Sequence, residues 1–109
     1  MKNTISGCSV EEAMTMLGGR WRMLIMSFLL DQPMRFNELR RAIPNISQRM
    51  LTLELRVLEA EGFVSRKVYA EVPVKVEYSL TLDGKKLEPL IAVLKETGIW
   101  LKSRKLGSE

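Results

Sequence analysis

Gln48, Arg49, Thr52 and Arg56 fall within nine consecutive positions, and each carries a group able to bond the edge of a base pair. Arginine presents paired donors that match guanine, glutamine offers a donor and an acceptor that match adenine, and threonine brings a methyl group for thymine. Gln48, Thr52, Arg56 and Glu59 recur at i, i+4, i+8 and i+11, which on an α-helix is the face opposite a stripe of Met50, Leu51, Leu55 and Leu58. Gln48, Arg49 and Thr52 lie near the helix start and are the candidate base readers. Arg56 lies further along and suits a base or a phosphate. Ser47 is a good N-cap, and with the neighbouring free amides it can meet a phosphate at the positive helix end. Any amphipathic helix has a polar face, so this pattern alone also describes a plain solvated helix.

Basic side chains flank that segment. Arg35, Arg40 and Arg41 border the preceding helix, and Lys67 and Lys75 fall on what read as opposite strands of a hairpin near its tip. All five suit contacts to a phosphate backbone, although a charged hairpin is also simply a soluble one. The net charge is +4, and residues 35–67 alone carry +3. Histidine is absent and there is one cysteine, which removes most zinc sites and every Ser-His-Asp or Cys-His arrangement. No metal, no cofactor and no enzymatic activity are therefore expected. A general acid or base would have to come from Glu71, Glu77 or another lone carboxylate with no partner motif.

The single cysteine, Cys8, precedes Ser9, which with Glu12 has the spacing of a capping box. A thiol near a helix start, with Arg20 or Arg22 close in the fold, has its thiolate favoured and is more easily oxidised or alkylated. The other reading is an unused cysteine beside an interface. With no intrachain disulfide available, no apolar run approaching the ~18 residues of a membrane span, and neither a basic start nor an apolar core in residues 1–7, a cytoplasmic location is expected.

The elements that must position these side chains follow from periodicity. The 109 residues fit one domain, with a core over about 8–101. A first helix is expected over 10–17, stopped by Gly18 and Gly19, and a second over 21–30. Met34 and Arg35 suit one short strand. A third helix, 36–43, ends at Pro44, and the fourth runs from the Ser47 cap to Gly62, giving a helix-turn-helix over about 36–61. Val64, Arg66 and Val68, then Val76, Tyr78 and Leu80, alternate as a hairpin, or wing, over about 64–80 with its tip at 70–74. Thr81 can cap a final helix, about 82–104, which Pro89 kinks or restarts. The fold class is thus mainly α with a small β-hairpin, a winged helix-turn-helix.

In the final helix Leu87, Leu90, Ile91, Leu94 and Leu101 form one stripe, and Val93, Ile99 and Trp100 lie outside it. A helix apolar on more than one face needs a second surface to cover it. Val10 and Met14 of the first helix, with Leu90, Val93, Leu94 and Trp100, are the expected homodimer interface. The alternative is that Leu87, Leu90 and Leu94 close the monomer's own core. A two-fold dimer would set its recognition helices ~34 Å apart, one DNA turn, and so favour a palindromic operator.

Taken together, these residues resemble the HxlR-type winged helix-turn-helix regulators of bacteria and archaea. The resemblance rests on Cys8, Val10 and Glu11; Gly18-Gly19-Arg20-Trp21; Arg35-Phe36-Asn37-Glu38-Leu39; Ile46-Ser47-Gln48, Met50-Leu51-Thr52, Leu55-Arg56 and Leu58-Glu59; Gly62; Glu71-Val72-Pro73; Val76-Glu77-Tyr78-Ser79-Leu80-Thr81; and Gly84. It implies a dimeric DNA-binding repressor or activator, and some members of the family use a cysteine at the Cys8 position to sense oxidants or electrophiles. Leu53 and Glu54 depart from it, standing where the family more often has polar or basic residues. Leu53 suits a thymine methyl or simple exposure, and Glu54 suits a cytosine amine or would repel phosphate. The Pro73 to Thr81 stretch argues against a MarR-like or ArsR-like regulator. A winged helix used only for protein contacts is the rival from another class, and the polar groups of Gln48, Arg49 and Thr52 argue against it.

Overall fold

The computed structural model describes residues 8–107; the reading of residues 1–7 lies outside it. The order is α1 (Ser9–Leu17), α2 (Arg22–Leu29), α3 (Phe36–Ala42), α4 (Gln48–Ala60), β1 (Val64–Tyr69), β2 (Lys75–Leu80), α5 (Leu82–Lys85) and α6 (Glu88–Gly107). Ile25, Met26 and Leu29 of α2 meet Leu39 of α3, Leu51, Leu55 and Leu58 of α4, Val64 and Leu80 at the hairpin base, and Ile91 of α6 in one core. The inward face of α4 is therefore the predicted stripe, with Met50 half-buried at its edge. β1 and β2 pair antiparallel from Val64 opposite Leu80 out to Tyr69 opposite Lys75. The short strand shrinks to a single bridge, in which Met34 and Tyr78 exchange N–H···O bonds of 2.9 and 2.8 Å.

Both ends of α4 are fixed by local chemistry. Ser47 Oγ accepts from the Met50 N–H at 3.0 Å, as a capping residue should. At the other end Gly62 takes φ +85°, its N–H donates to the Glu59 carbonyl at 3.1 Å, and the Phe63 N–H donates to the Leu58 carbonyl at 2.9 Å. That is the paired closure of a Schellman motif, and its positive φ is the conformation glycine adopts without a Cβ penalty.

Three expectations are corrected. Helix α1 starts one residue early, so Cys8 and not Ser9 is its N-cap, with no side-chain capping bond. Of the two glycines that follow α1, only Gly19 has positive φ, while Gly18 is extended. Thr81 caps the one-turn α5 and not the final helix, its Oγ1 accepting from the Gly84 N–H at 3.0 Å. The final helix restarts at Glu88 with Pro89 in its first turn, where no intrahelical partner is lost.

Helix α6 buries only Ile91. Leu90 and Leu94, read as alternatives for core or interface, are 37% and 45% exposed, and Val93 and Trp100 are each 56% exposed. On α1, Val10 and Met14 are also exposed, and no residue of that helix is buried.

Candidate nucleic-acid interface

Helices α3 and α4 are joined by a turn in which Asn45 adopts φ 68°, a left-handed conformation that asparagine tolerates better than most residues. This turn sets α4 across the molecule with one face buried and the other open. Gln48, Arg49, Leu53 and Arg56 are exposed and Thr52 is half-exposed, and these five side chains line one shallow depression. The predicted readers are thus brought together on one outward face. The Thr52 hydroxyl donates to the Gln48 carbonyl at 2.9 Å, so its hydrogen is already used within the helix.

Leu53 and Glu54 diverge in the structure. Leu53 is 46% exposed beside the readers, a member of the surface that residue type alone left ambiguous. Glu54 turns the other way. Its Oε1 accepts from Arg22 Nε at 2.9 Å, with both side chains mostly shielded from water, so its carboxylate is engaged within the protein and away from the depression that the readers line.

Between α4 and the wing lies a groove of about 450 Å³, walled by Phe36 and Tyr78 and lined by Arg56, Glu59 and Arg66. Arg66 Nε stands 3.6 Å from Glu59 Oε2, linking wing and helix. Arg66, Phe36 and Tyr78 are not among the site residues expected from sequence, where Arg66 simply alternates with Val64 and Val68 in the hairpin pattern. Burial of the Tyr78 ring raises its phenol above the ordinary value, with Arg66 pulling the other way.

On the outer face of the wing, Lys67 and Lys75 both place their ammonium groups over the Tyr69 ring, 4.9 and 4.8 Å from its centroid. The Tyr69 hydroxyl donates to Glu77 Oε1 at 3.1 Å, and Lys75 Nζ lies 3.4 Å from Glu77 Oε2. The Tyr69 bond, with lesser help from Lys75 and Arg35, holds the Glu77 carboxyl below its usual range. Lys75 is thereby half-buried and partly neutralised, whereas Lys67 is exposed. On α3, Arg40 and Arg41 share a depression with Asn37. The Arg35 N–H donates to Glu38 Oε1 at 2.8 Å at the start of that helix.

Cys8 is exposed at the N-cap of α1, followed by Glu11 and Glu12 in the first turn. Arg20 stacks on Trp21, 4.4 Å from its centroid, and Arg22 reaches Glu54 and the Met16 carbonyl. Among the described residues there is no group of three or more acidic, cysteine or histidine side chains able to hold a metal, and no helix long and apolar enough to cross a membrane.

Comparison with known proteins agrees with this geometry. The family model of the HxlR-like helix-turn-helix matches residues 16–105. The HTH-type transcriptional regulator YybR of Bacillus subtilis (strain 168) is 52% identical over 92 residues, spanning 84% of this chain and 74% of that protein. The redox regulator HypR in its oxidized form superposes with a TM-score of 0.80 at 52% identity, covering 84% of this chain and 94% of that one. The reduced form of the transcriptional regulator YodB from B. subtilis gives 0.71 at 45% identity, covering 85% and 89%. With the family model spanning most of its length and the wing and helix-turn-helix in place, this chain belongs to the HxlR-like helix-turn-helix family of transcriptional regulators.

Proposed function

We propose that the protein binds a palindromic operator as a homodimer, with α4 in the major groove and the wing on the adjacent backbone. The observation that carries this reading is the outward face of α4. Gln48, Arg49, Thr52 and Arg56 stand together and open to solvent, beside the most basic part of the chain, and a major groove admits one such helix. Gln48 and Arg49 supply bidentate groups, Thr52 presents its methyl because its hydroxyl is occupied, and Leu53 adds a second apolar contact for thymine. Ser47, Arg35, Arg40, Arg41, Lys67 and Lys75 serve as backbone contacts, with Lys67 the stronger wing cation because Glu77 offsets Lys75. Val10, Met14, Leu90, Val93, Leu94 and Trp100 supply the dimer surface.

Selection from random duplex DNA with the purified protein tests this. An enriched inverted repeat, with half-sites about one helical turn apart, is the expected result. Weak, sequence-blind binding would instead favour a winged helix used for protein contacts.

Cys8 is the proposed point of redox or electrophile control. It is exposed at the N-cap position of α1, and the structural relative HypR is a redox regulator with oxidized and reduced forms. Replacing Cys8 with serine is expected to abolish any diamide-induced change in operator affinity. A response that survives the substitution would remove Cys8 from this role.

A further inference from the structure

Arg22 opens α2 and reaches two other elements at once. Its Nη1 donates to the Met16 carbonyl in the last turn of α1 at 2.7 Å, and its Nε donates to Glu54 Oε1 in the middle of α4 at 2.9 Å. The ion pair joins residues 32 positions apart, with the two side chains only 23% and 18% exposed. Partial shielding from water makes such a charge-assisted bond stronger than a surface pair.

What the bond controls follows from how α4 is otherwise held. Its stripe of Leu51, Leu55 and Leu58 is buried, but apolar contact is non-directional, so it fixes the depth of the helix better than its roll about its own axis. At 100° per residue, Glu54 flanks that stripe on the side away from Gln48. A directional bond there resists rolling, and the roll angle decides where Gln48, Arg49 and Thr52 aim. The other arm matters because α1 contributes nothing to the hydrophobic core. Its carbonyl end is tied to the body by the same guanidinium that grips α4.

We propose that Arg22 is a positioning residue for base readout: through Glu54 it fixes the roll of the recognition helix, and through the Met16 carbonyl it joins that setting to the position of α1. This rests on α4 being the reader. A shift of α1, from its partner in a dimer or from chemistry at its N-cap, would then re-aim the readers.

The test uses the full chain, the operator recovered by selection and a scrambled duplex of equal length at one salt concentration. Arg22→Ala removes a positive charge and Glu54→Ala a negative one, so a purely electrostatic role moves overall DNA affinity in opposite directions. The positioning role lowers the operator-to-scrambled affinity ratio in both variants, by about tenfold, with the double variant no worse than either single one. Glu54→Gln, which keeps an acceptor oxygen for Arg22 Nε, is expected to recover part of the ratio and guards against a folding defect in the alanine variants. If the ratio is unchanged at Arg22 and Glu54 while Arg49→Ala still lowers it, the coupling is wrong and the reader stands. An Arg49→Ala protein with an unchanged ratio would overturn both.

Discussion

Arginines of two kinds meet the proposed DNA surface, and their surroundings assign them different work. Arg49 is exposed among Gln48, Thr52, Leu53 and Arg56 on α4, where a guanidinium can reach a base edge, whereas Arg40 shares a depression with Asn37 and Arg41 on α3. Arg49→Ala is expected to weaken operator binding by about 1 to 3 kcal/mol and to relax one base position. Arg40→Ala should weaken operator and scrambled duplexes alike, which competition titrations against single-base operator variants will separate. On the wing, the position of Glu77's titration is set chiefly by the Tyr69 hydroxyl. Because the folded value lies below the unfolded one, this cluster adds stability above the unfolded carboxylate range and loses it as pH falls through the folded value. Tyr69→Phe keeps the ring under Lys67 and Lys75 but removes the donor, so the Glu77 carboxyl should titrate at higher pH in an NMR titration. An unmoved titration would transfer the cause to Lys75 and Arg35.

Among the elements, α4 depends on its ends and the wing on its base. Ser47→Ala removes the bond to the Met50 N–H and should cost about 1 kcal/mol in urea unfolding. Gly84 is buried where α5 crosses the hairpin base, and a Cβ there would collide with the Phe63 carbonyl oxygen and press on Leu80. Gly84→Ala is therefore expected to cost more than Ser47→Ala, about 1 to 3 kcal/mol for an overpacked site; a smaller loss would mean that α5 yields easily. Ser47, Gly62 and the Leu51, Leu55 and Leu58 stripe were all legible in sequence, because caps and helical period are local signals. Thr81 was legible as a cap and Pro89 as the point of restart, but that the stretch between them closes as a separate one-turn helix was not, since the apolar pattern runs on through Pro89. Glu54 was opaque for a different reason. Its partner Arg22 stands on another helix, and no local pattern announces a pairing across the core. Arg66 was hidden by its own strand: it shares the period-two set with Val64 and Val68, yet beyond the first pair that face leaves the core and looks onto α4 and Glu59.

For the molecule as a whole, the exposed apolar surface of α6 sets a requirement that the described residues of one copy do not meet. A helix of 20 residues is about 30 Å long at 1.5 Å per residue, and this one buries a single side chain while Leu90, Val93, Leu94 and Trp100 stay open. Alongside the exposed Val10 and Met14 of α1, this is more apolar surface than scattered single residues present, and it calls for a partner. In the proposed operator complex, a two-fold pairing through α6 has to set two copies of α4 on the same side of the assembly, as an inverted repeat demands. The pairing also doubles the phosphates neutralised in one binding event. With about six contacts per dimer, the logarithm of affinity should fall with the logarithm of salt at a slope near −5. Leu94→Lys combined with Trp100→Glu puts charge into the proposed seam without touching α4 or the wing. The variant is expected to sediment as a monomer, to bind with about half that slope, and to lose its preference for the full inverted repeat over a single half-site. A variant that stays dimeric with the steep slope intact would place the interface elsewhere and leave the apolar face of α6 to another partner.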